Sequence, residues 1–221
     1  MRVDPFDGTL TRSEQRTMDR LTSPPRIQEF LDQISYSAEN IYRCPLRVLR
    51  DRRAHCFDGA VFAAAALRKV GLPPLVLELV PNERDDDHLI ALYRRDGLWG
   101  AVAKSNFVGL RFREPVFRSL RELVLSYFEQ FYNLAGEKTL RAYTVPLNLT
   151  RFEGLRWRVQ DAAMDHIAEA LDRTRRIPVI TEEAVRHLSR LDERSRRAGL
   201  LGADEAGLFK PQALGILGKR D

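Results

Sequence analysis

The run CFDGAVFAAAALRKVG, from Cys56 to Gly71, constrains the fold more than any other stretch of this chain. Alanine loses no side-chain entropy on entering a helix, so the run predicts helix, with Cys56, Ala60, Ala63, Ala64 and Leu67 on one face. Gly71 ends it and Pro73 and Pro74 prevent its continuation. LVLELV, at 75–80, follows as a short apolar, β-prone run. After a turn at PNERDDD, the segments HLIALYR (88–94) and LWGAVAK (98–104) flank Asp96-Gly97, a strong hairpin signal. Both segments are apolar on both faces, which predicts strands covered from either side.

Helices surround this centre. Thr11 and Glu14 have capping-box spacing, and Pro24 and Pro25 interrupt the helix they open. A second helix restarts there, with Ser23 able to cap it and Ile27, Phe30, Leu31 and Ile34 on one face, up to about Ser37. Ser119 and Glu122 form another capping box before LRELVLSYFEQFYN, a predicted helix of about four turns. After TVPLNL (144–149) the composition turns charged and periodic: VQDAAMDHIAEALDRTR, then EEAVRHLSRLDERSRRAG, capped by Thr181 and closed by Gly199. The last stretch, DEAGLFKPQALGILGKRD, has no clear period. The organisation expected is a helical lead-in over 1–25, a core over 26–149 and a helical extension over 150–221 that packs on the core.

The chain has 221 residues, a length that can bury a sizeable core without disulfides or metal. Two cysteines, Cys44 and Cys56, make no disulfide framework, and no apolar run has the length of a membrane span. The N-terminus carries charge without an apolar stretch, unlike a signal or transit peptide, so a reducing, cytoplasmic compartment is expected. The net charge of +5 is spread with acids interleaved throughout, which argues for a solvated surface and against a nucleic-acid partner, and without a long apolar run no membrane partner is expected.

The order of a helix opening at a cysteine, a strand, a strand opening at a histidine, a tight turn and a further strand has a chemical logic. A thiol at a helix N-terminus sits at the positive end of the helix dipole, which favours thiolate. Arg52 and Arg53 would add to that effect if they folded back near the sulfur. The free N–H groups of the same helix end could receive an oxyanion. His88 could pair with the thiolate and later protonate a leaving amine.

The stretch PLRVLRDRRAHCFDGAVFAAAALRKVGLPPLVLELV, followed by DDHLIALYRRDGLWGAVAK, is similar to the transglutaminase-like branch of the papain-like cysteine superfamily. Cys56, Asp58, Leu67, Arg68, Gly71, Leu72 and Pro73 fall where that family opens its central helix with a nucleophilic cysteine. His88, Gly97 and Trp99 match its histidine strand and the turn and tryptophan that follow. The resemblance covers residues 44–106. It implies an α+β fold, with a central cysteine helix packed on a small antiparallel sheet, and acyl transfer by Cys56 with His88 as base. The Cys56 N–H would then donate to the oxyanion.

One position departs from the pattern. The family places an aspartate that orients the histidine four residues after the tryptophan, and Ala103 stands here. A two-residue Asp96-Gly97 turn sets Ser105 opposite His88, whereas a three-residue loop sets Asn106 there. Papain-like enzymes use asparagine in this role, so Asn106 is the first choice and Ser105 the second. Lys104 would oppose an imidazolium, and Asp96 belongs to the turn.

The expected substrate is a peptide or protein carboxamide, with water as acceptor for a hydrolase and an amine for a transamidase. No cofactor is implied, because phosphate-loop and serine-elbow motifs are absent from the sequence. Cys44, His55, Cys56 and His88 lack the paired spacing of a zinc site, and Asp85, Asp86 and Asp87 lack the alternating spacing of a calcium loop. Cys44 reads as structural, His55 as a neighbour of the site at most, Asp58 as a first-turn acid, and His166 and His187 as surface residues. The rivals are a transglutaminase-like binding module with weak or no catalysis, and a nucleic-acid-associated protein using the C-terminal helices.

Overall fold

The computed structural model describes residues 6–210. The first five residues of the lead-in and the last eleven of the extension, with most of the aperiodic C-terminal stretch, lie outside the described residues. The elements run α1 (Arg12–Arg20), α2 (Pro24–Gln33), β1 (Ser35–Tyr36), α3 (Pro45–Asp51), β2 (Arg53–Ala54), α4 (Cys56–Lys69), β3 (Leu75–Pro81), β4 (His88–Arg95) and β5 (Leu98–Val102). They continue with β6 (Arg113–Phe117), α5 (Leu120–Phe128), β7 (Leu140–Thr144), β8 (Leu147–Asn148), α6 (Ala162–Asp172), β9 (Arg176–Pro178), α7 (Glu182–Arg186) and α8 (Glu193–Gly199).

The fold is α+β. An antiparallel sheet in the order β6-β5-β4-β3-β7-β9, with β8 also paired to β3, carries helices on both faces. Side-chain alternation sorts the core into two clusters. Val76, Leu89, Ala91 and Tyr93 face α4 together with the apolar faces of α2 and α3, whereas Leu77, Leu79, Ile90 and Leu92 face α5 through Leu123, Val124 and Tyr127. That two-sided burial is why the strands carry apolar residues without a polar alternate.

Local chemistry fixes the elements around the site. Thr11 and Glu14 close a reciprocal capping box on α1, and Ser119 accepts from the Glu122 N–H at the start of α5. Asp96 and Gly97 both take positive φ, 51° and 83°, as a two-residue primed turn requires, and pair Arg95 with Leu98. Gly59 brings α4 directly onto the Lys104 backbone and side chain, where a Cβ would clash. The Arg43 guanidinium, 2% exposed, gathers Ser37, Glu39, Asp51 and Asp58 and so ties the β1 loop to the first turn of α4.

Three expectations are corrected. Helix α5 spans nine residues and not about four turns, because the chain after Phe128 turns to form a bridge from Tyr132 to Lys138. The single helix expected between Thr181 and Gly199 is two, since Leu191 N–H donates to the Gly136 carbonyl and Asp192 caps a new start at the Ser195 N–H. The helix expected to run through Arg175 ends at Asp172, and the residues after it, Arg176–Pro178, form the edge strand β9. The segment after 150 is joined to α3 through Asp161, which accepts from the Cys44 N–H at 2.9 Å and pairs with Arg47 at 2.7 Å. Among the described residues no helix is long and apolar enough to cross a membrane.

Candidate active site

Cys56 is the first residue of α4. His55 caps the helix by accepting from the Asp58 N–H through Nδ1 at 3.4 Å, and is itself held neutral by burial, which pushes its pKa down to about 4. Asp58 is fully buried and turns away from the thiol to accept from the Arg43 N–H at 2.8 Å. The parallel pairing of β1 with β2 places Tyr36 beside Ala54, and the Tyr36 hydroxyl interacts with the Cys56 N–H.

The start of β4 runs past the sulfur. Cys56 Sγ lies 3.9 Å from the Asp87 carbonyl oxygen, and the Leu89 N–H also faces it. Between those two residues stands His88, 4% exposed, whose Nε2 is 2.7 Å from the Leu110 carbonyl oxygen. That partner can only accept, so Nε2 carries the proton and Nδ1 keeps its lone pair. Cys56 and His88 line one small cavity of about 60 Å³, with Tyr36, Asn106 and Leu110 among its other walls. No hydrogen bond joins sulfur to imidazole among the described residues.

The histidine's partner is therefore neither Asn106 nor Ser105. The two-residue turn is present, yet pairing of β4 with β5 stops at Ala91 opposite Val102. Gln28 then captures Ala103, donating to its carbonyl at 3.0 Å and accepting from its N–H at 3.1 Å. Lys104 buries its ammonium against the Leu31 and Ile34 carbonyls at the end of α2, at 2.7 and 2.6 Å. The chain leaves the sheet before it reaches the position opposite His88. Ser105 accepts from the Phe107 N–H in its own turn, and Asn106 uses both amide atoms on the backbone of Asp204, at 3.0 Å each.

The thiolate expected from the helix terminus is also corrected. Burial, and then the carboxylates of Asp87 and Asp86, push the Cys56 thiol up, while the Leu89 and Phe57 N–H groups only partly offset them. Burial pushes the His88 imidazole down to about 4. The resting pair is a neutral thiol and a neutral imidazole. Arg52 stacks on the Phe30 ring and Arg53 pairs with Glu39, so neither reaches the sulfur. Cys44 is buried and its thiol is pushed up to about 12, while His166 and His187 are exposed.

A larger cavity of about 390 Å³ opens on the other side of Cys56. Glu78, Asp86, Asp87 and Asp172 line it, and Ala206–Phe209 run along its wall. Glu78 had a sequence signal, a carboxylate inside the apolar run LVLELV. Among the described residues no group of three or more His, Cys, Asp or Glu side chains is placed to hold a metal ion.

Fold and site define an α+β protein with a thiol at the head of a helix and an imidazole at the head of the neighbouring strand. No protein-family model and no curated protein matches the chain. Among solved structures it is similar to Legionella pneumophila LapG in its calcium-bound form, at 14% identity and a TM-score of 0.34, over 41% of this chain and 59% of that one. It is likewise similar to Legionella pneumophila LapG at 12% identity and 0.39, over 62% of this chain and 71% of that one. The EGTA-treated form gives 12% and 0.40, over 70% and 86%. The chain thus spans less than two thirds of the calcium-bound LapG chain.

Proposed function

We propose that this protein is a cysteine-dependent hydrolase of peptide or amide bonds with a transglutaminase-like core. The observation that carries the reading is that Cys56, at the head of α4, and His88, with Nε2 committed to the Leu110 carbonyl, line one cavity and leave Nδ1 free to take a proton. In the proposed reaction His88 accepts the thiol proton at Nδ1 as Cys56 sulfur attacks the carbonyl carbon. The oxyanion receives the Cys56 N–H. The tetrahedral adduct collapses to a thioester, and the imidazolium returns its proton to the departing amine. Water, giving a proton to His88, then attacks the thioester, and carboxylic acid and free thiol are released.

The Leu110 carbonyl takes over the role expected of Asn106. It fixes the tautomer without adding a negative charge, so the imidazolium gains less than it would from an aspartate. A neutral thiol that makes no hydrogen bond to the imidazole favours a second reading, a binding module that keeps the architecture without turnover. Incubation with a mixed peptide library, read by mass spectrometry, separates the two. New peptide termini that appear with the wild type and disappear with Cys56→Ala support the hydrolase; a cleavage pattern identical in both contradicts it.

A further inference from the structure

Four carboxylates line the larger cavity beside Cys56, spread along it, and none of them is held in an ion pair among the described residues. Glu39, at its rim, is already paired with Arg43 and Arg53. Glu78, Asp86, Asp87 and Asp172 form no ion pair among the described residues, and no Lys or Arg lines the cavity. Glu78 is 4% exposed, and its Oε2 has no hydrogen-bond partner. Alternation along β3 sets it on the α4 face with Val76, opposite Leu89, so the register aims this carboxylate at the thiol end of the helix. A buried acceptor left unpaired costs stability, and a donor arriving with a ligand removes that cost.

We propose that this cavity is a subsite for a basic side chain, the ammonium of lysine or the guanidinium of arginine, carried by the peptide that presents its carbonyl to Cys56. The inference rests on the hydrolase reading and names its substrate class. A metal ion would need converging ligands, which the carboxylates do not provide. An extended organic cation needs only several acceptors along a slot, which they do provide. Crowding supports the same conclusion. Asp87 is raised by burial and by the Glu78 carboxyl, with Arg176 the nearby cation that opposes the shift, and Asp86 is raised to about 6 by burial and by Asp87. Asp172, at the exposed end of α6, gives the C-terminal extension a wall of the site.

The test compares two thiol reagents of opposite charge on the full chain, the trimethylammonium-ethyl and sulfonatoethyl methanethiosulfonates. Each forms a mixed disulfide with Cys56 and releases methanesulfinate. Modification is assigned by peptide mapping, and each rate is divided by that of free cysteine. Because both reagents meet the same thiolate fraction, their ratio reads the local field alone. The net charge of +5 does not by itself favour the cationic reagent, so a preference for it reports the surroundings of the thiol. The proposal expects the cationic reagent to react about tenfold faster or more at Cys56. It expects the ratio to fall toward one in Glu78→Gln/Asp86→Asn/Asp87→Asn, and to fall partway in Asp172→Asn, whose exposed site leaves folding intact. A wild-type ratio at or below one, or a ratio unchanged in Asp172→Asn and in the triple variant, overturns it. Because the assay needs no turnover, a charge-selective but inert thiol overturns the hydrolase reading alone, and an active enzyme with a flat ratio overturns the subsite alone.

Discussion

Asn106 and Asp204 hold each other across 98 positions of chain: Asn106 Nδ2 donates to the Asp204 carbonyl and Asn106 Oδ1 accepts from the Asp204 N–H, each at 3.0 Å. The clamp fixes the segment that follows. Gly207 packs so closely on the Tyr36 ring and Asn106 that a Cβ there would clash, and Gly207 and Phe209 line both cavities that flank Cys56. The residue expected to orient the histidine instead straps the C-terminal segment over the thiol.

Releasing the strap should uncover the sulfur. Each of the two clamp hydrogen bonds contributes about 1 kcal/mol net, about 2 kcal/mol together, so Asn106→Ala is expected to raise the rate of Cys56 alkylation by iodoacetamide about thirtyfold. Gly207→Val, which displaces the strap by steric conflict, should act in the same direction. Equal rates in the wild type and both variants would mean that the segment does not shield Cys56.

The acidic wall works against thiolate formation. Asp87 and Asp86 both raise the Cys56 pKa, so Asp86→Asn/Asp87→Asn should lower it and shift the alkylation pH profile downward by roughly one unit. The sign follows from Coulomb repulsion: removing fixed negative charge favours the anionic form of the sulfur. A profile that stays in place, or moves upward, would separate these carboxylates from the thiol's field. The neutral reagent iodoacetamide suits this measurement because it does not itself sense the carboxylates.

Burial of His88 should appear in stability. Its folded pKa of about 4 lies below the ordinary histidine value near 6.5, so the unfolded chain binds the extra proton first as pH falls. The contribution is fully present above about pH 6.5 and is lost as pH falls toward 4. Between pH 7 and pH 5, His88→Gln should lose less unfolding free energy than the wild type, by about 2 kcal/mol, in urea titrations at the two pH values. Asp58, raised to about 7 by burial, and Asp86 act with opposite sign in the same window, which is why the variant difference is informative and the wild-type slope alone is not. Identical losses in both proteins would place the His88 imidazole in contact with solvent.

Much of the fold was legible because it rests on local chemistry. The alanine-rich helix α4, the Asp96-Gly97 hairpin, the Thr11–Glu14 capping box and the Ser119 cap of α5 each declare themselves within a few residues, although the Glu122 carboxylate reaches back to the Arg118 N–H and not to Ser119. Cys56 and His88 were legible from their places at the heads of α4 and β4. The histidine's partner was not, because a backbone carbonyl such as that of Leu110 leaves no residue-type signal. Nor could the end of the β5 pairing be read, since it depends on Gln28 reaching Ala103 from 75 positions away. The acidic cavity was half visible: Asp86 and Asp87 read as a turn, while Glu78 in an apolar strand and Asp172 at a helix end signal a site only when β3 and α6 are brought together.

The most direct test of cooperation between Cys56 and His88 is the rate at which p-nitrophenyl acetate acylates Cys56, followed by intact mass and peptide mapping in the wild type and in a folded His88→Ala variant. Acylation is expected to be confined to Cys56 and slowed about a hundredfold or more by loss of the imidazole. Equal acylation rates in the two proteins, or an acetyl group found at other residues and absent from Cys56, would contradict it.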